Sequence, residues 1–158
     1  PTGMILTRQG APALAETVEK VREGVRKGAY VLVDAEGTPD VIIIATGSEV
    51  QWAGEAARTL SADGVKARVV SMPSMEWFEE QDAEYKEEVL PRSVKARVSV
   101  EAGLAMPWYK YIGDYGKAVS IEQYGLQGDG AQNMIDLGIT AEHVVEAAKA
   151  SIEDAKAA

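Results

Sequence analysis

The sequence predicts a three-layer α/β domain built on a mostly parallel, mixed sheet, and three stretches carry that prediction. Val41-Ile42-Ile43-Ile44-Ala45 is nearly all β-branched and lacks polar alternation, as expected of a strand covered on both faces. A helical stripe follows at once, with Val50, Ala53, Ala57 and Leu60 on one face. Val65 to Met72 then reads as the next strand, so residues 40–72 form a βαβ crossover of the length that parallel pairing requires.

The elements follow in order. Met4-Ile5-Leu6-Thr7 is a short apolar run suited to a buried strand, ending at Arg8-Gln9-Gly10. The chain starts at Pro1 without an initiator methionine or signal-peptide pattern. Residues 1–10 are therefore expected to be the last strand of a preceding domain. Residues 11–28 read as a linker with a short helix on the weak stripe Val18, Val21 and Val25, and residues 29–158 as the α/β domain proper. Ala29 to Asp34 is the first strand of that domain, and Glu36-Gly37-Thr38-Pro39 the turn after it. Ser48 and Gln51 have the spacing of a capping box for the helix that follows Thr46-Gly47. Pro73 stops the Val65–Met72 strand, and the acidic stretch Glu76 to Glu88, seven carboxylates and one lysine, reads as a solvated helix face. Lys95 to Glu101 and Ala118 to Ile121 are further strands. Thr140 is placed to cap a last helix whose Val144, Val145, Ala148, Ile152 and Ala155 face one way.

Composition narrows the function classes. The 158 residues carry a net charge of −9, and the excess is uneven: residues 1–39 balance five cations against five carboxylates, whereas residues 40–158 set eleven against twenty. An acidic surface without a basic stripe interleaved with aromatics repels a phosphate backbone, so no nucleic-acid partner is expected. No apolar run approaches the roughly 18–20 residues of a membrane span, and no membrane partner is expected. The absence of cysteine excludes disulfides, thiolate metal cages and cysteine nucleophiles, and the cytoplasm is the expected compartment.

The candidates for chemistry are few. The turn Thr46-Gly47-Ser48-Glu49 lies at a strand's carboxyl end, where backbone amides attract anions, but neither a G-x-G-x-x-G nor a P-loop pattern follows, and Glu49 in the first turn already answers the helix dipole. A structural turn is the reading taken there. His143, the single histidine, falls in the first turn of the last helix beside Glu142, with no serine or aspartate placed to work with it. Metal-ligand spacings are absent from the sequence. Trp108-Tyr109-Lys110-Tyr111 could stack on a ligand, although such aromatics more often pack a helix on a sheet or form a subunit contact. Gly125, Gly128 and Gly130 around Asp129 mark a loop of a kind that binds ligands or merely connects. The residues alone assemble no self-sufficient catalytic constellation.

Several blocks, in order, carry a resemblance: Ile5-Leu6-Thr7-Arg8-Gln9, Gly28-Ala29-Tyr30-Val31-Leu32, Ile44-Ala45-Thr46-Gly47-Ser48-Glu49-Val50, Val65 to Ser74, Val100-Glu101-Ala102-Gly103 and Trp108-Tyr109-Lys110-Tyr111. Together they span nearly the whole chain. They resemble the end of the middle, pyrimidine-binding domain and the C-terminal domain of transketolase. That resemblance implies an enzyme of the pentose phosphate pathway that moves a two-carbon ketol unit between phosphorylated sugars, with thiamine diphosphate and a divalent cation (Mg or Ca), as a homodimer. It also implies that the cofactor lies in other domains, so that this piece is dimer-supporting and inactive alone, with no catalytic, cofactor-binding or metal residue of its own. One substrate-binding residue is implied: Arg8 matches the family arginine that closes its strand and helps grip the sugar phosphate. A guanidinium fork suits a terminal phosphate, each charge-assisted hydrogen bond being worth about 1.5–3 kcal/mol.

The chain also departs from the family pattern. Thr7 replaces the commoner serine, and after Tyr124-Gly125 the run Leu126 to Asn133 replaces a small-residue turn and apolar helix, so no family contact is carried over to that loop. The rival readings are the C-terminal domain of a related thiamine diphosphate enzyme, of the pyruvate dehydrogenase E1 or deoxyxylulose phosphate synthase type, and a non-enzymatic α/β module. Arg8-Gln9 and Ser71-Met72-Pro73-Ser74 favour transketolase over the first; the strand at residues 4–7 would have no use in the second.

Overall fold

The computed structural model describes residues 3, 4, 6, 10–14 and 17–158. Arg8, with Ile5 and Thr7 of the expected Met4–Thr7 strand, lies outside the described residues. Helix α1 (Thr17–Arg26) leads into five strands: β1 (Tyr30–Val33), β2 (Val41–Ala45), β3 (Ala67–Ser71), β4 (Arg97–Val100) and β5 (Lys117–Val119). Their spatial order is β1-β3-β2-β4-β5. The central pairs β2–β3 and β2–β4, and the pair β4–β5, are parallel, while β1 runs antiparallel against β3. The predicted fold class therefore holds, with a mixed sheet whose one reversed strand lies at an edge.

Alternation along β2 builds both layers of the core. Val41, Ile43 and Ala45 face α2 (Val50–Ala62) and the last helix, α7 (Ala141–Lys156), in a cluster with Ala53, Ala57, Leu60, Val144 and Ala148. Ile42 and Ile44 face the other way, onto Val70, Met72, Phe78, Val89, Trp108 and Tyr111. That second layer is made by α3 (Met75–Glu79), α4 (Ala83–Val89) and α5 (Tyr109–Ile112). All five β2 side chains are fully buried, as the absence of polar alternation requires.

Three local expectations need correction. The capping box does not form: Gly47, at φ +56°, opens a 3₁₀ turn over Gly47–Glu49, so α2 starts only at Val50. Ser48 donates its hydroxyl to Glu49 Oε1, and Gln51 Nε2 donates back to the Ser48 carbonyl. The acidic stretch is two short helices, because Asp82 takes an extended backbone and accepts the Tyr85 N–H as a fresh cap; its charges are nonetheless mostly exposed. The strand expected over Lys95–Glu101 is trimmed to Arg97–Val100, which has only the three residues of β5 on its outer side. The Thr140 cap does form, its hydroxyl accepting the His143 N–H. The departure segment contains a short helix, α6 (Gly130–Asp136), capped by Asp129 and with no residue buried.

Candidate functional site

In a parallel sheet the loops that leave the carboxyl ends of the strands converge on one edge, the usual place for a ligand. Here that edge is built by Thr46–Glu49 after β2, Met72–Ser74 after β3, Glu101–Gly103 after β4 and Ser120–Glu122 after β5. The β4 and β5 loops are stitched together, since the Ile121 N–H donates to the Gly103 carbonyl at 2.8 Å and the Ala105 N–H to Glu122 Oε1 at 2.7 Å. Ser120 donates its hydroxyl to the same Glu122 oxygen at 2.9 Å. Glu101 accepts the indole N–H of Trp108 at 2.7 Å.

Glu49 is the unusual group of this edge, being 7% exposed. Burial pushes its carboxyl above the ordinary glutamate range and the charge of Glu101 adds to the push, while hydrogen bonds from Ser48 and the backbone oppose it. Two carboxylates at this turn repel a phosphate, so the structure favours the structural reading of Thr46–Glu49 over an anion site. A native carboxyl with a raised pKa binds its proton more readily than the unfolded chain does. Stability from Glu49 is therefore complete below the ordinary glutamate range and is lost as pH rises through the folded value. Glu49→Gln, which keeps an oxygen for Ser48, is expected to raise Tm at pH 7, with the gain shrinking toward pH 4. Thermal melts at the two pH values check this, and a lower Tm at pH 7 would contradict it.

The other sequence candidates separate in the structure. Trp108 and Tyr111 are buried, with ring centroids 6.3 Å apart, and serve the core; Tyr109 is exposed. His143 is exposed, its Nδ1 lying 3.0 Å from the Thr140 hydroxyl, which ties the ring to the helix cap. Asp129 of the glycine loop caps α6. Leu104, Met106, Tyr109, Tyr124 and Leu126 are exposed, Tyr124 being 99% exposed. No spacing pattern marked the Glu49, Glu101 and Trp108 arrangement, because Glu49 follows β2 whereas Glu101 and Trp108 follow β4, and only the sheet brings the two connections together.

Residues 28–140 match the family model described as the transketolase-like TK C-terminal domain. The chain belongs to that transketolase C-terminal domain family. It is 52% identical over 160 residues to a transketolase of Mycobacterium bovis, covering 98% of this chain and 22% of that protein. A transketolase structure from Pichia stipitis matches with a TM-score of 0.85 at 35% identity, over 95% of this chain and 21% of the other. Another from the same organism, a complex with sedoheptulose 7-phosphate, matches with a TM-score of 0.78 at 35% identity, over 85% of this chain and 19% of the other. The chain thus spans about a fifth of the length of the transketolases it resembles. Transketolase chemistry implies thiamine diphosphate and a divalent cation, and the described residues at the carboxyl edge do not fit either group. Among them no three His, Asp or Glu side chains are grouped to hold a metal, and the carboxyl edge presents carboxylates where a diphosphate would need cations. No described helix is long and apolar enough to cross a membrane.

Proposed function

We propose that this chain is the C-terminal part of a transketolase, an enzyme that transfers a two-carbon ketol unit between phosphorylated sugars of the pentose phosphate pathway. The observation that carries the reading is the family match over residues 28–140, together with 52% identity to a transketolase across nearly the whole chain. In this reading thiamine diphosphate and its cation sit in other domains of a cytoplasmic homodimer. Residues 1–10 close the preceding domain, residues 11–28 link it, and residues 29–158 are the C-terminal domain, inactive alone. The exposed apolar residues Leu104 and Met106 after β4, and Tyr124 and Leu126 after β5, support a subunit-facing role for the carboxyl edge, since exposed apolar surface gathered at one edge marks a contact surface.

Arg8 is the residue proposed to reach substrate. If it grips the sugar phosphate equally in the ground and transition states, Arg8→Ala in the whole enzyme raises KM and leaves kcat nearly unchanged. Loss of one charge-assisted contact of about 1.5–3 kcal/mol corresponds to roughly a 10- to 150-fold penalty. Steady-state kinetics with matched phosphorylated and unphosphorylated sugars provide the test. The penalty is expected with the first and nearly absent with the second, and lysine should restore only part of it. An equal loss with both sugars would make Arg8 structural.

A further inference from the structure

On the face opposite α2 and α7, α3, α4 and α5 and the start of β4 enclose an open cleft of about 440 Å³, a size that suits a small molecule. Its charge runs against that of the whole chain. Lys86, Arg92, Arg97 and Lys110 meet only two carboxylates there, Glu79 and Glu87. Both carboxylates are already engaged. Glu79 takes Lys110 Nζ at 2.8 Å, the Tyr111 hydroxyl at 2.9 Å and Lys86 Nζ at 3.7 Å. The Lys110 hydrogen bond is the foremost reason its carboxyl lies below the ordinary range. Glu87 accepts the backbone N–H of Arg92 at 2.9 Å and faces its Nε at 3.6 Å.

Arg97 sharpens the imbalance. Its guanidinium donates to the carbonyls of Val94, Tyr111, Leu90 and Pro91 at 2.7–3.2 Å, all neutral acceptors. Among the described residues no carboxylate forms an ion pair with it. A guanidinium has five N–H donors, so these bonds leave its positive charge in place and one donor over. The cations exceed the carboxylates by two. Lys110 and Arg92 stand at the rim, with side chains 66% and 89% exposed, and Lys110 keeps further donors beyond the one given to Glu79.

We propose that this cleft is a binding site for a small organic phosphate dianion. The phosphate would lie between Lys110, Arg92 and Lys86, where charge-assisted hydrogen bonds are strongest for a doubly charged acceptor. The organic part would rest on Phe78, Leu90 and Tyr111, which line the same cleft.

Amide chemical-shift titration of the 158-residue chain tests the site, with phenyl phosphate, inorganic phosphate and phenol as probes. Phenyl phosphate is expected to move the amides of Lys86, Lys110 and Tyr111 saturably with a Kd below about 1 mM, in the range of a small ligand with few contacts. Inorganic phosphate should bind the same residues more weakly, and phenol should leave them unmoved. Combining Arg92→Gln with Lys110→Gln should weaken phenyl phosphate about 10-fold, the factor that about 1.4 kcal/mol represents. An unchanged spectral dispersion will show that these rim substitutions leave the fold intact. If that double variant does not fold, raising salt from about 0.05 to 0.5 M on the parent chain must weaken binding instead. The proposal is overturned by no saturable shift, by phenol binding equally well, by undiminished affinity in the folded double variant, or by indifference to salt.

Discussion

Gly28→Ala is expected to destabilise the domain by about 3–5 kcal/mol, through two costs that a single methyl imposes together. Gly28 has φ +81°, a left-handed conformation that costs an L-residue roughly 1–2 kcal/mol. A Cβ there would also lie 2.3 Å from the Phe78 nitrogen and 2.4 Å from the Ser74 carbonyl oxygen. Both obstacles are backbone, so no rotamer change relieves them. They cannot simply retreat, because the Ser74 N–H donates to the Gly28 carbonyl at 3.0 Å and Phe78 is buried. The substitution pries the start of β1 from the start of α3. In a chain of this size the loss should lower Tm by roughly 10 °C, at about 2–4 °C per kcal/mol. Calorimetry of the variant checks this. Gly37 gives the control: it too has positive φ, at +75°, but a Cβ there would meet nothing within 4 Å, so alanine should cost only the conformational share.

Arg97→Met is expected to cost a similar amount, about 3–5 kcal/mol, for a different reason. The guanidinium is the common donor for four carbonyls drawn from the segment after α4, the turn before β4 and the end of α5. Methionine fills much of the volume but donates nothing, which leaves partly buried carbonyls unpaired at about 1–3 kcal/mol each, less where water enters. Lysine should recover only part, since an ammonium cannot address four divergent acceptors as the planar fork does. Urea denaturation of the three proteins orders them: parent, lysine, methionine. Equal midpoints for parent and methionine would show that water serves these carbonyls as well as the guanidinium does.

These two positions mark the limits of a reading from sequence. The β2 run was legible because a strand covered on both faces must be apolar throughout, and the stripes of α2 and α7 because 3.6-residue spacing selects one face. Ser151 escaped the second stripe. It is fully buried on α7, where its hydroxyl accepts the Arg97 N–H and donates to the Tyr115 carbonyl, partners that no local pattern reveals. Arg97 was legible only as part of the Lys95–Glu101 strand, for the same reason. The direction of β1 depends on which side of the sheet the chain enters, and its antiparallel pairing with β3 has no signature in four residues. The capping-box spacing of Ser48 and Gln51 was present, yet the positive φ of Gly47 diverted the backbone into a 3₁₀ turn before the box could close.

The candidate site shows the same division. Thr46–Glu49 was visible as a strand-end turn, whereas the burial of Glu49 and its repulsion by Glu101 arise only when β2 and β4 lie side by side. The basic cleft was hidden more deeply, because Lys86 sits inside the most acidic stretch of the sequence and Lys110 inside an aromatic cluster. The proposed role of Arg8 comes from the family resemblance.

Ketol transfer by the whole enzyme tests the central claim most directly. The full-length protein, supplied with thiamine diphosphate and Mg²⁺, is incubated with a ketose phosphate donor and an aldose phosphate acceptor, and the two-carbon exchange is followed by the appearance of the lengthened sugar phosphate. The account predicts steady turnover by the full-length protein and none by the 158-residue chain alone. A full-length protein that leaves both sugars unchanged, or a 158-residue chain that turns them over by itself, would contradict it.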